Sequence, residues 1–199
     1  MEVQTNIYAG FIYYDFLSAF EGTFYIEKPE NEFSSNENSF YTWNDSIYQN
    51  FMLMILENLE PRFTPKGEFF FDKREVREVL FIQSGKVDVG YMYNDKQKYV
   101  LRYEGATVLG AYCCTFNRRT QFIYLAKNNC YGYNISKENW FKIIMDSPHI
   151  ADAWKGNISK DYTVMKARMK PIGTNDELQV DELREVIEDK MTNFMVSKL

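Results

Sequence analysis

The chain has 199 residues, of which 45% are hydrophobic, 17% are aromatic and 26% are charged. This composition is typical of a folded globular protein and excludes an intrinsically disordered chain. The 28 acidic and 23 basic residues leave a net charge of -5, which has the wrong sign for a surface that neutralises nucleic-acid phosphates. We therefore expect one main domain with an appendage, and no nucleic-acid partner.

The first apolar stretch, residues 7–20, is too short and too polar to cross a bilayer. It is about 14 residues long and contains Asp15, whereas a membrane-spanning helix needs about 20 apolar residues. A secretory signal would begin with basic residues, but the first charged side chain is Glu2. We expect no membrane span in this chain and a cytoplasmic location, with any membrane association made through a partner.

Residues 1–50 carry an excess of negative charge. They contain eight acidic residues and one base, Lys28, for a net charge of -7, so the other 149 residues together carry +2. Residues 1–45 are therefore predicted to form an acidic N-terminal segment, within which residues 28–38 have the composition of a loop. The excess charge has two interpretations: a solvated face, or an arm that docks on a basic partner.

The hydrophobic period then changes twice along the chain. Apolar residues at three- and four-residue steps predict a helix over 46–59, which Pro61 ends. Alternating residues, with turn signals at Ser84-Gly85 and Asn94-Asp95, predict about eight short antiparallel strands between residues 60 and 135. The strands that the pattern locates are 68–71, 79–82, 87–93, 98–103, 121–126 and 130–135. We predict an α+β fold in which a jelly-roll-like β-roll is flanked by helices.

Helical signals return after the predicted roll. Ser136 is a suitable N-cap for a helix over 136–145, and Pro148 opens a longer helix over 149–169. Beyond a break at Pro171 and Gly173, a capping box and an apolar stripe predict an amphipathic helix over 174–199. That helix must be buried, either on the chain's own body or on a neighbouring subunit.

Cysteine and histidine are too few for the commonest catalytic and metal sites. The cysteines are Cys113, Cys114 and Cys130, and they have neither the paired spacing of a zinc site nor neighbouring histidines. We expect three free thiols and no bound metal. The single histidine, His149, is expected at the surface or in a helix cap. No phosphate-binding glycine loop and no nucleophile elbow are present, which argues against an enzyme.

An ordered series of motifs through residues 46–165 resembles cyclic nucleotide-binding domains. The motifs are Leu59–Arg62, Gly67-Glu68, Glu78–Val87, Gly110, Arg119-Thr120, Cys130 and Ser136–Trp140. The residues at these motifs are similar to those of the cytoplasmic module of ciliate voltage-gated potassium channels of the ether-à-go-go and hyperpolarisation-activated kind. The resemblance implies a domain over 46–170 that acts without chemistry, in which a bound or self-supplied ligand moves the long helix after the roll.

The resemblance also implies a phosphate-binding cassette, and this chain retains only part of it. Gly110 matches the cassette glycine, and Arg119 and Thr120 match its Arg-Thr pair, but Ala111 stands where a carboxylate would bind the ribose hydroxyl. Gln121 replaces a small residue. We therefore expect a non-enzymatic regulatory module related to channel gating, with cAMP or cGMP bound weakly or not at all and no other cofactor. The alternatives are a genuine cAMP or cGMP sensor and ordinary surface roles for Arg118 and Arg119. Expected partners are channel subunits, or a second copy through the tail helix.

Overall fold

A computed structural model describes residues 14–29, 39–72 and 75–169. Its helical elements are α1 (14–20), a 3-10 turn (Glu21–Phe24), α2 (Ser46–Glu57), α3 (Ala111–Thr115), α4 (Lys137–Asp146) and α5 (Pro148–Met169). Its strands are β1 (Glu60–Thr64), β2 (Glu78–Ser84), β3 (Lys86–Tyr93), β4 (Lys96–Glu104), β5 (Thr107–Leu109), β6 (Ile123–Ala126) and β7 (Cys130–Ser136).

The strands form two antiparallel sheets, which confirms the predicted α+β fold with a β-roll. One sheet has the order β1-β7-β2-β5 and the other has the order β4-β3-β6. The described residues contain seven strands rather than about eight, and the two sheets do not close into one barrel. The tight turn at Asn94-Asp95 joins β3 to β4 with positive φ at both residues, as a two-residue hairpin of the predicted kind requires.

The strand assignments from sequence need four corrections: one predicted strand is absent, two strands were not located, and one begins later. Residues 68–71 do not form a strand: Gly67 has a φ of +89°, and the segment keeps only an isolated bridge between Phe69 and Leu125. β1 pairs along β7 although its five residues include Pro61, and β5 is three residues long, too short to produce a recognisable alternation. The predicted strand over 121–126 begins two residues later, because the Thr120 hydroxyl bonds to Phe122 and forms a local turn.

The three helices predicted over the described residues are confirmed, with ends that differ by one or two residues. The Ser136 hydroxyl accepts a hydrogen bond from the Asn139 backbone N–H at 3.2 Å, as expected of an N-cap. The predicted helix over 174–199 lies outside the described residues, as does most of the loop predicted over 28–38.

Strand β2 separates two hydrophobic cores because its side chains alternate between its two faces. Val79 and Phe81 point into the first, which we call the helical core; it includes α2, α4 and α5 and is rich in aromatic rings. Leu80 and Ile82 point into the second, which we call the roll core. The acidic N-terminal part contributes to the helical core through Phe16, Phe20, Phe24 and Ile26, all of them buried.

Candidate ligand-binding site

A cavity of about 660 Å³ lies between α5 and the segment that joins β4 to α3. Its wall on the strand side comes from residues 106–112, together with Tyr103 on β4 and Tyr124 on β6. Its other wall is α5, from Trp154 to Arg168. Two of the four predicted site residues, Gly110 and Ala111, line this cavity, whereas Arg119 and Thr120 do not.

Gly110 occupies a position that only glycine fits. It precedes α3 with a φ of +80°, in the left-handed region. A Cβ atom added there would lie 2.7 Å from the Glu78 carbonyl oxygen and 2.8 Å from a methyl group of Val76. The backbone of the predicted cassette therefore packs directly against β2, and Gly110 fixes where α3 begins.

Ala111 places a methyl group where the family pattern would have a carboxylate. Its side chain lines the cavity and is 9% exposed, and it offers no hydrogen-bond acceptor to a ligand. The next residue, Tyr112, turns its ring toward α5 instead. The cavity therefore lacks, at this position, the carboxylate that the resemblance implies.

Arg119 and Thr120 follow a turn at Asn117, which has a φ of +52°. The Arg119 side chain is exposed and lies close enough to Glu75 to contribute to lowering the pKa of that carboxyl group, after the larger effect of Arg77. Thr120 is buried, but its hydroxyl accepts the backbone N–H of Phe122 at 3.1 Å. The pair is thus adjacent in sequence to the cassette without facing the cavity.

The residue after Arg119 and Thr120, Gln121, has a buried side-chain amide without hydrogen-bond partners in the described part of the chain. Both polar atoms of its side-chain amide are buried, and neither has a hydrogen-bond partner among the described residues. A small residue at this position would leave no such polar group to satisfy. The replacement of a small residue by Gln121 therefore affects the interior of the fold and not only its surface.

Helix α5 covers the roll beside the cavity through soft and aromatic side chains. The Tyr162 ring stacks on the Tyr112 ring, with centroids 3.9 Å apart and planes 2° from parallel. The Tyr124 hydroxyl donates to the Met165 sulfur at 3.9 Å, and burial raises the pKa of Tyr124 well above its usual range. Met169, at the end of α5, is 1% exposed and belongs to the roll core. These contacts bind the helix to the interior of the roll.

The charged groups of the cavity also come from α5, and sequence reasoning did not identify them. Lys160, Asp161 and Arg168 line it. Burial raises the pKa of the Tyr103 hydroxyl, with Arg168 opposing that shift and Asp161 adding to it, so both charges lie near this hydroxyl. The helical spacing of Asp161 and Arg168, seven residues apart, puts them on one face of α5 and was the signal available in the sequence.

The described part of the chain offers few thiol, imidazole or metal-binding groups outside this cavity. Cys113, Cys114 and Cys130 are buried and form no disulfide, and burial raises the pKa of Cys114 to about 12. His149 is exposed. Among the described residues, no cluster of three or more His, Cys, Asp or Glu side chains could hold a metal ion. None of the described helices is both long enough and apolar enough to cross a membrane.

No protein-family model and no curated protein matches the sequence. Solved structures do match. The C-linker/CNBHD of zELK channels, crystallized in the presence of cAMP, is 15% identical, with a TM-score of 0.50 over 59% of this chain and 61% of that chain. The catabolite activator protein of Thermus thermophilus is 13% identical, with a TM-score of 0.50 over 68% of this chain and 59% of that chain. The chain therefore has the fold of a cyclic nucleotide-binding domain, and its match spans about 60% of those two proteins.

Proposed function

We propose that this chain is a non-enzymatic regulatory module of the cyclic nucleotide-binding type, with a degenerate phosphate cassette and weak or absent binding of cAMP and cGMP. The observation that carries the proposal is the position of Arg119, which is exposed and outside the cavity that Gly110 and Ala111 line. We expect a guanidinium outside the cavity to contribute little to neutralising a phosphate held beside Gly110.

The loss of the carboxylate has a calculable effect on affinity. A charge-assisted hydrogen bond contributes about 1.5–3 kcal/mol, which corresponds to roughly one to two decades of dissociation constant. Ala111 removes that bond from the ribose hydroxyl, and the displacement of Arg119 removes the charge partner of the phosphate. Dissociation constants above about 100 μM for both nucleotides are the expected result.

Regulation would operate through α5. Tyr162 and Met165 line the cavity and also pack against the roll, so a ligand in the cavity would contact them and could move α5. A movement of α5 would be transmitted to whatever it is joined to, and the similarity to the C-linker/CNBHD of zELK channels supports a channel as that target. We therefore place this module with potassium or cation channel regulation, with channel subunits or a second copy as partner.

Calorimetry with cAMP and cGMP on the full chain tests the binding proposal. The unaltered protein should give dissociation constants above about 100 μM, and Ala111→Glu should bind more tightly by about tenfold if the backbone of the cassette is competent. Arg119→Ala should leave the affinity unchanged. Micromolar binding by the unaltered chain would overturn the proposal.

One observation favours the alternative, a genuine cyclic nucleotide sensor: the cavity contains two cations of its own, Lys160 and Arg168. Either could neutralise a phosphate in place of Arg119. In that case binding would be micromolar, Arg168→Ala would weaken it at least tenfold, and Arg119→Ala would not.

The proposed assembly through residues 174–199 has a separate test. Light scattering should give the mass of an oligomer for the full chain and the mass of a monomer for a chain ending at residue 173. An oligomer that survives this deletion would exclude the tail as the assembly element, and a monomeric full chain would exclude self-assembly.

A further inference from the structure

A second, aromatic groove is formed by residues of the acidic N-terminal part and of α2. Its volume is about 520 Å³, and it is bounded by α1, the 3-10 turn and residues 40–48. It shares no lining residue with the ligand cavity. Its walls are mainly aromatic rings: Tyr14, Tyr25, Phe40, Tyr41, Trp43 and Tyr48.

The rings of this aromatic groove are held in place while much of their surface faces solvent. Tyr25 packs edge-on against Phe40, with centroids 5.0 Å apart, and Trp43 packs edge-on against Tyr48 at 6.0 Å. The Tyr48 hydroxyl donates to the Phe24 carbonyl oxygen, which fixes its ring from below. Tyr14, Tyr25 and Trp43 are nevertheless 72%, 57% and 43% exposed. Clustered exposed aromatics of this kind mark interaction sites.

The charge around the aromatic groove is negative. Among the described lining residues, Glu21 is the one formally charged side chain, and it forms no ion pair within the described part of the chain. Asp15 and Glu27 are exposed nearby in sequence. The single base of this region, Lys28, is held by Asp45 at 2.7 Å.

The same region already shows the type of contact that its rings can make. The Lys28 ammonium lies 5.5 Å from the centre of the Tyr41 ring, within the range of a cation–π interaction. Aromatic faces beside a carboxylate attract organic cations, and a planar guanidinium can stack on a ring while donating to an acid.

We propose that the aromatic groove binds an arginine side chain from a basic segment of a partner protein, with the guanidinium stacked on the Trp43 and Tyr25 rings and paired with Glu21. The proposal does not rest on nucleotide binding in the ligand cavity, with which the aromatic groove shares no lining residue. It gives the acidic N-terminal part a specific role: attraction of the basic partner.

Three long segments of the chain lie outside the described residues, and none has the charge of a basic occupant. Residues 1–13 contain one acidic and no basic side chain. Residues 30–38 contain three acids and no base. Residues 174–199 contain seven acids and three bases, a net charge of -4. The latter two segments would be repelled by the field that favours arginine, and nucleic acid would be repelled for the same reason.

Tryptophan fluorescence makes the groove directly observable in the full chain. Of the three tryptophans, all within the described residues, Trp43 is exposed while Trp140 and Trp154 are 0% and 2% exposed. The probe is a blocked glycine-serine peptide carrying two arginines, and its control is the same peptide with neutral citrulline in place of arginine. The arginine peptide should shift Trp43 emission and bind at least tenfold more tightly than the citrulline peptide.

Matched variants separate the groove from general electrostatic attraction. Glu21→Gln should weaken the arginine peptide at least threefold, whereas Glu57→Gln, at the far end of α2, should not change its affinity. Trp43→Phe should abolish the emission change while calorimetry still detects binding. Equal binding of the two peptides, equal effects of the two glutamine variants, or a Trp43 shielded from acrylamide in the free chain would each overturn the proposal.

Discussion

The two hydrophobic cores on either side of β2 are built from different kinds of side chain. The helical core packs the rings of Phe16, Phe20, Phe24 and Trp140 around Phe81, and the described side chains there are almost fully buried. The roll core is completed by methionine and tyrosine side chains of α5 and lies next to an open cavity. Interlocking rings make a fixed scaffold, whereas methionine adapts to irregular space. We infer that the helical core forms a rigid half of the molecule, and that it positions the roll core, which is able to repack.

The largest effect should come from the centre of the helical core. Phe81 is 0% exposed and contacts four other aromatic rings, so Phe81→Ala should lower the free energy of unfolding by about 3–5 kcal/mol. Met165→Ala, on the partly buried face of α5, should cost about 1 kcal/mol because it removes less buried surface. Urea unfolding measures both. Similar losses would contradict the distinction between a fixed and an adaptable half.

The next effect tests whether the cassette backbone belongs to the scaffold. Gly110→Ala should destabilise the protein by about 1–3 kcal/mol, because its positive φ is strained for alanine and its Cβ would meet the Glu78 carbonyl oxygen. Gly156→Ala is the matched control. It lies in α5 with nothing within 4 Å of an added Cβ, so it should stabilise by about 0.5–1 kcal/mol. Thermal unfolding of the two variants should therefore shift in opposite directions.

Sequence reasoning predicted the scaffold better than the site, and particular residues show why. Helix periodicity, the Ser136 cap and the Asn94-Asp95 turn are local signals, and local geometry satisfied each of them. The direction of Arg119 depends on the turn at Asn117, and the burial of Met169 depends on how α5 crosses the roll. The first depends on a positive φ at a residue other than glycine, and the second on long-range packing, and no motif in the sequence encodes either.

A buried hydrogen bond provides a smaller test of the scaffold. The Trp140 indole N–H donates to the Thr115 hydroxyl at 2.9 Å, which ties α4 to α3. Thr115→Val keeps the shape of the side chain but leaves the indole without an acceptor, and should cost about 1–2 kcal/mol. Thr115→Ser retains the acceptor and should cost less than Thr115→Val. If serine and valine were equally destabilising in urea unfolding, the hydrogen bond would not be the reason.

The smallest effect should come from an ion pair of the three-stranded sheet whose two side chains belong to neither core. Asp88 on β3 lies directly opposite Arg102 on β4, and the guanidinium donates to both carboxylate oxygens at 2.5 and 3.0 Å.

This hydrogen bonding outweighs burial and lowers the pKa of Asp88 below its usual value. The folded-state pKa is thus lower than the unfolded value of about 3.9, so the stability that the pair contributes is fully present above that pH and is lost as the pH falls through the folded-state pKa. Because Arg102 is 46% exposed, solvent limits the contribution to about 1 kcal/mol. Asp88→Asn should therefore be less stable than the unaltered chain by about that amount at pH 7, and in urea unfolding this difference should shrink as the pH falls below the unfolded-state value of about 3.9. A difference in the free energy of unfolding that stayed constant across this range would mean that the asparagine disturbs packing. The three-stranded sheet would then resemble the rigid half in its sensitivity to packing.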